Sequence, residues 1–170
     1  MACDITAGRV RPCKDSLGGN KLVYLFNAVE DPFTILAGEA TAINVLVTEA
    51  FKYELEGDGN ILDQSMPSDR NTFSKVNTQT ITLVLKVPDA ATNAEFNLLV
   101  AGFTQAVMVD RNGNHYAVGI DDFIDWTVVP NTGGAKADLN GYTLTGLATV
   151  KDLAPILDAA TVTALEALVV

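Results

Sequence analysis

The side chains able to do chemistry are few and widely spaced. His115 is the single histidine, two residues after Gly113 in D-R-N-G-N-H-Y. A Ser-His-Asp or Cys-His relay would have to be built on it, and the sharp G-x-S-x-G turn that presents a nucleophilic serine does not occur. Its plain reading is a strand residue. Asp121, Asp122 and Asp125 form an acidic knot beside Trp126. Carboxylate pairs do general acid-base work, yet acidic runs at strand edges are ordinarily solvated faces. Asp58-Gly59-Asn60 with Asp63 faintly suggests a calcium loop, but the D-x-D-x-D-G spacing and the glutamate at the twelfth position are missing. Cys3 and Cys13 read as free thiols ahead of a bridge closing a short N-terminal loop, and a metal site would need two further ligands. Neither a Walker A nor a G-x-G-x-x-G pattern is present. The expectation is a chain that is not an enzyme and uses no cofactor and no metal.

Composition points the same way. The chain has 170 residues, 48% of them hydrophobic, enough for one domain with a proper core. Eleven Lys+Arg against 21 Asp+Glu leave a formal charge of −10, and the pI is near 4.3. The long-range field therefore repels phosphate, which excludes a protein that grips nucleic acid tightly. The amino end, M-A-C-D-I-T-A-G-R-V-R-P-C-K-D, lacks an apolar signal-peptide core, and no apolar run approaches the roughly 18–20 residues that span a bilayer. A soluble, non-secreted chain with no membrane segment is expected.

The elements that must position these residues are mostly strands. K-L-V-Y-L-F-N-A-V (21–29) and P-F-T-I-L (32–36) read as a hairpin. T-A-I-N-V-L-V-T-E-A-F-K-Y-E-L-E-G (41–57) reads as a long strand whose second half alternates, with Phe51, Tyr53 and Leu55 on one face. The polar, glycine-bearing stretch 57–75 reads as a long, mobile loop, and V-N-T-Q-T-I-T-L-V-L-K-V (76–87) as the return strand of a hairpin over 43–87, with Ile81, Leu83 and Leu85 inward. An inserted helix is expected over 88–102, capped by Asp89, with Ala91, Ala94, Leu98 and Leu99 on its apolar stripe and Gly102 just past its end. F-T-Q-A-V-M-V-D (103–110) and H-Y-A-V-G-I (115–120) pair around Asn112-Gly113; 122–130 and 141–150 supply further strands. Both Asn-Gly pairs predict type I′ turns with φ > 0 at the two central positions. The tail forms a short helix capped by Asp158, with Leu157, Val162, Leu165, Leu168 and Val169 as an apolar stripe. The fold class is thus mainly β, an antiparallel sandwich or half-barrel, with residues 1–150 as the β domain behind an N-terminal arm (1–20) and 151–170 as a helical extension.

The order of F-K-Y-E-L-E-G-D (51–58) before a long loop, N-T-Q-T-I-T-L-V-L-K (77–86) leading to the helix, V-M-V-D-R-N-G-N-H-Y-A-V-G-I (107–120) and A-D-L-N-G-Y-T-L-T-G (137–146) resembles the major tail tube proteins of tailed bacteriophages. The resemblance covers roughly residues 40–148, and the close of the chain departs from it. It implies a sandwich whose inner sheet joins those of neighbours in a ring, usually hexameric, and rings that stack into a tube through which DNA passes without tight binding. It further implies partners among sheath, terminator and baseplate proteins, and a place in the virion tail after synthesis in the host cytoplasm. A capsid-decorating or head-tail connector protein, or a carbohydrate-binding sandwich, would share the fold class; the last would carry clustered exposed aromatics, and aromatics are only 7% here.

On this reading Glu54, Glu56, Asp121, Asp122 and Asp125 are candidates for the wall of the bore, where weak repulsion keeps DNA from adhering. Asp58, Asn60, Met66, Arg70 and Phe73 in the loop, and Val162, Leu165, Leu168 and Val169 in the tail, are candidates for contacts between subunits. The tail is expected to dock on a neighbour rather than on its own sandwich.

Overall fold

Successive side chains of a strand point to opposite faces, so an uninterrupted apolar run such as V-Y-L-F or A-V-M-V predicts a strand covered on both sides. A computed structural model describes residues 5 and 7–170. In chain order the elements are β1 (Asn20–Asn27), β2 (Phe33–Leu36), β3 (Glu39–Ile43), β4 (Phe51–Glu54), β5 (Ile61–Ser65), β6 (Ser68–Asp69), β7 (Ser74–Lys75), β8 (Asn77–Lys86), α1 (Ala90–Ala101), β9 (Thr104–Asp110), β10 (His115–Val118), β11 (Asp125–Asn131), β12 (Gly141–Val150), β13 (Ile156–Leu157) and α2 (Ala159–Glu166). The protein is mainly β, as expected, and its described strands close no barrel.

A seven-stranded sheet has the order β2-β3-β13-β10-β9-β1-β4, and a four-stranded sheet the order β11-β12-β8-β5. The β3–β13 pair is parallel and the other ladders are antiparallel. Val23, Leu25, Ala106 and Met108 turn one face of the large sheet onto Ile81, Leu83, Leu144 and Ala148 of the small one, forming the main core. Tyr24, Phe26, Val107 and Val109 turn the other face onto Leu157 and Leu165, forming a second core. The apolar runs in β1 and β9 thus serve two interiors.

Several expectations are corrected. β1 and β2 do not form a hairpin: β1 pairs with β9 and β4, and β2 pairs with β3 at the far side of the sheet. Ala37 and Gly38, both at positive φ, supply the tight turn that joins β2 to β3 instead. The long strand over 41–57 is two short ones, β3 and β4, which lie at opposite sides of the sheet. The chain between them crosses the sheet face and buries Val47 and Ala50 in the second core. Tyr53 and Leu55 pack inward as expected, whereas Phe51 is 40% exposed.

Residues 57–75 are not a structureless loop. β5 pairs with β8 along its whole length, and β6 and β7 close the tip as a small hairpin. Leu62 packs β5 against the main core, and a polar residue adds to its hold. Gln64 points inward, and its side-chain oxygen accepts from the main-chain N–H of Ala154 (2.8 Å), Asn77 Nδ2 (3.1 Å) and Gln79 Nε2 (3.3 Å). Gln79 Oε1 accepts in turn from the N–H of Gly119, just past the end of β10 in the other sheet, 2.9 Å away. This buried amide chain ties the two sheets together, and such networks are costly to break because each orphaned partner keeps its desolvation penalty. Gln79→Leu is expected to destabilise the fold by about 1–3 kcal/mol, read as a lower denaturant midpoint; an unchanged midpoint would show that the chain carries no stability.

α1 begins where expected: the Asp89 carboxylate accepts from the N–H of Thr92 at 2.9 Å. Its buried face, however, is Phe96 and Leu99, with Ala91, Ala94 and Leu98 exposed. Phe96 meets Tyr142 edge-on at 4.9 Å, and that aromatic contact sets the rotation of the helix. Gly102 is extended at φ −96° and is no left-handed cap.

The tail belongs to the body. β13 lies between β3 and β10, so the boundary drawn at residue 150 does not coincide with a break in the sheet. α2, capped by Asp158 through the Thr161 N–H (2.7 Å), places Leu165 at 0% exposure in the second core, with Val162, Leu168 and Val169 half-buried around it. The stripe thus packs on the chain's own second core, against the expectation of docking on a neighbour, Leu165 wholly and the other three in part.

The two Asn-Gly turns differ from the type I′ form. At the first, only Gly113 has positive φ (+89°), and its N–H donates to the Asp110 carbonyl at 3.2 Å. This is the type I turn with a glycine bulge that suits a longer hairpin loop. Asp110 also accepts from the main-chain N–H groups of Asn112 and Asn114, 2.9 and 2.8 Å away. No atom lies within 4 Å of a Cβ placed on Gly113, so Gly113→Ala is expected to cost only the left-handed backbone, about 1–2 kcal/mol. Equal thermal stability of variant and parent would contradict that geometry. At the second pair neither Asn140 nor Gly141 has positive φ, and the left-handed residue of that connection is Gly133, seven residues earlier.

Candidate functional site

The small sheet is where the fold leaves something unpartnered. Its inner residues build the main core, but its outer side chains come from alternate positions that no other described element covers. Read across β5, β8, β12 and β11, the registers set Asp63, Thr80, Leu147 and Asp125 in one row, Ile61, Thr82, Thr145 and Thr127 in the next, then Val84, Thr143 and Val129. Threonine suits an exposed strand face, because its branched carbon favours extended backbone while its hydroxyl meets water. The result is a broad hydroxyl-rich face with scattered apolar side chains and carboxylates at both margins.

Among the described residues its two edges are open, β5 pairing with β8 alone and β11 with β12 alone. Such edges present unpaired main-chain groups that invite another strand. Pro130, near the end of β11, removes one donor there, and an edge strand is where a sheet tolerates proline.

The candidate bore residues are not brought together on this face. Asp125 is on it. Glu54, at the end of β4, pairs with Lys52 at 2.8 Å on the large sheet, and Lys52 holds its carboxyl below the usual range. Glu56 follows on the same side, lining a shallow cleft with Glu54 and Lys86. Asp121 and Asp122 precede β11 at the end of the molecule, where Asp121 accepts from the N–H of Lys151 at 3.1 Å. Asp63, which completes the row with Asp125, was not among the candidates; the i, i+2 relation within β5 was the available signal.

The loop candidates divide. Asn60 is 1% exposed and structural: its Oδ1 accepts from the N–H of Val84 at 2.8 Å and its carbonyl from the N–H of Asn20 at 3.2 Å, so it is withdrawn as a contact residue. Asp58 forms an exposed pair with Arg111 (3.2 Å), worth little in water. Met66 is half-buried, and Arg70 is exposed on the tip. Phe73 is 93% exposed and has φ +51°, a left-handed backbone unusual for an aromatic residue. The tip therefore presents an apolar side chain to whatever approaches it.

His115 stacks on Tyr24 (6.4 Å between centroids) and bonds through Nδ1 to the Gly113 carbonyl, 3.0 Å away. Trp126 is buried, its Nε1 donating to Thr104 Oγ1 at 2.7 Å, so the knot beside it is a rim over a structural tryptophan. Among the described residues no group of three or more His, Cys, Asp or Glu is placed to hold a metal ion, and no helix is long and apolar enough to cross a membrane. Cys13 is exposed, and its pairing with Cys3 lies outside the described residues. Comparison with family models, with curated proteins and with solved structures returned no match.

Proposed function

We propose that this chain is a structural subunit of a bacteriophage tail tube. The observation that carries the reading is the four-stranded sheet with one bare face and two open edges. Copies placed side by side join β5 of one to β11 of the next, which satisfies the edge groups and turns the hydroxyl-rich face inward. Heterologous contacts of this kind close into a ring when the rotation permits, here a hexamer by resemblance, and rings stack into a duct. A charge of −10 per subunit suits a wall along which DNA slides without sticking. Sheath, terminator and baseplate proteins of the virion are the further partners on this reading.

A capsid-decorating or head-tail connector protein is the second reading, and the edges separate the two. Ile61 on β5 and Val129 on β11 are exposed, 44% and 53%. Ile61→Lys with Val129→Lys places a charge on each edge strand, a natural barrier to further pairing. The expected result is a folded monomer with unchanged thermal stability that no longer associates in sedimentation. Undiminished association would refute edge-to-edge closure and favour the second reading.

A further inference from the structure

The two ends of the large sheet carry opposite chemistry. At one end, before Asn20, the chain continues as an arm: residues 7–19 are all exposed and form neither strand nor helix. Leu17 anchors it through reciprocal bonds with the Asn112 side chain, both 2.9 Å. Within A-G-R-V-R-P-C-K (7–14) the only charged residues are Arg9, Arg11 and Lys14, three of the eleven basic residues of an otherwise strongly acidic chain.

At the other end, where β1 leaves the sheet and β9 enters it, segments 28–31 and 120–123 form the walls of a groove. Its apolar part is Phe103, 63% exposed, against Phe123 at 4.4 Å. Its rim carries Glu30, Asp31, Asp121 and Asp122, all exposed, and among the described residues none of these carboxylates is in an ion pair. Asp121 accepts from the main-chain N–H of Lys151. The walls are fixed in advance by the buried Gln105, whose Nε2 donates to the carbonyls of Val29 (3.2 Å), Asp122 (3.1 Å) and Ile120 (3.4 Å) while its oxygen accepts from the N–H of Val29 (3.1 Å).

We infer that the groove at 28–31 and 120–123 receives the basic arm, residues 7–14, of a second copy of this chain. Arginine guanidinium groups fit carboxylates by fork-like hydrogen bonding and stack on aromatic faces, so R-V-R-P matches a rim of acids around two phenylalanines on both counts. The occupant is another copy because Leu17 is held on Asn112 at the opposite end of β1 from the groove, a strand about 25 Å long at roughly 3.3 Å per residue, whereas the chain from Leu17 back to Arg11 extends only about 20 Å. Arm-to-groove contact between copies therefore runs head to tail and does not close on itself as a two-fold pair would. The inference rests on the self-assembly proposed above and gives it an axial contact.

The test uses the full chain and a fluorescent peptide of residues 7–15 carrying Cys13→Ser. Saturable binding is expected, weakening steeply with salt and falling about tenfold or more in a Glu30→Lys/Asp122→Lys chain; those two side chains make no bond that the fold needs. No binding, or binding indifferent to the groove substitutions, overturns the inference. Arm reversal (Arg9→Glu, Arg11→Glu, Lys14→Glu) and groove reversal should each impair association, and the two combined in one chain should restore it. A combined variant no better than either alone also overturns it. Tubes formed normally by the arm-reversed chain would remove this contact and leave the tube reading standing, whereas peptide binding without any ring or tube would do the reverse.

Discussion

A chain ending at residue 155 should fail to fold cooperatively. Removing 156–170 takes β13 out from between β3 and β10, splitting the large sheet there and leaving each of those strands unpaired on one side. It also removes Leu157 and Leu165, 6% and 0% exposed, each worth about 1.5–3 kcal/mol when fully buried. Tyr24, Phe26, Val107 and Val109 would then lose the cover that these residues give. A domain holds only about 5–15 kcal/mol of net stability, so the sum of these losses is comparable with the whole. Near-ultraviolet circular dichroism and a melting curve read the outcome. Leu165→Ala is the graded control, expected to lower stability by about 2–5 kcal/mol while leaving the fold intact. A truncated chain that melts cooperatively near the parent's temperature would show that the tail is an appendage after all.

Gly141→Ala is expected to be the most damaging single-methyl change in the molecule. A Cβ at this position would collide with the Leu85 carbonyl oxygen and lie 2.9 Å from the Lys86 Cα, both main-chain atoms of the paired strand. Main chain held in a ladder cannot rotate away as a side-chain tip can, so the cost should exceed the usual overpacking range of about 1–3 kcal/mol. The physical cause is close approach rather than turn geometry, because Gly141 does not have positive φ. The same substitution at Gly113 meets no atom within 4 Å and should be clearly milder. Chemical denaturation of the two variants side by side decides the matter; if Gly113→Ala proves the worse, the approach of β12 to β8 is not as close as described.

Both expectations depend on contacts that a single sequence discloses only in part. Period was legible: the alternation of Ile81 and Leu83 in β8, the unbroken apolar run of β9 and the capping aspartates Asp89 and Asp158 all stand where the spacing predicts. Partnership was not. Nothing in 21–36 says that β1 bypasses β2 for β9, because both strands satisfy the same local rule and the choice is made by long-range packing. β5 is hard to read because Leu62 shares its inward face with Gln64, whose partial burial is compensated by groups from Asn77, Gln79 and Ala154, distant in sequence. The rotation of α1 was missed for a related reason, since Leu98 looks apolar enough to be buried until Tyr142 claims Phe96. The acidic candidates were grouped by type, and the registers scatter them, leaving Asp125 with Asp63 on the bare face and Asp121 with Asp122 at the groove.

The central claim is that the small sheet closes edge to edge with copies of itself. Negative-stain electron microscopy of the purified full-length chain tests it most directly. The account predicts rings or stacked tubes of uniform bore, and their absence from the Ile61→Lys/Val129→Lys chain under the same conditions. A field of monodisperse particles the size of one subunit, unchanged as protein concentration is raised, would contradict it.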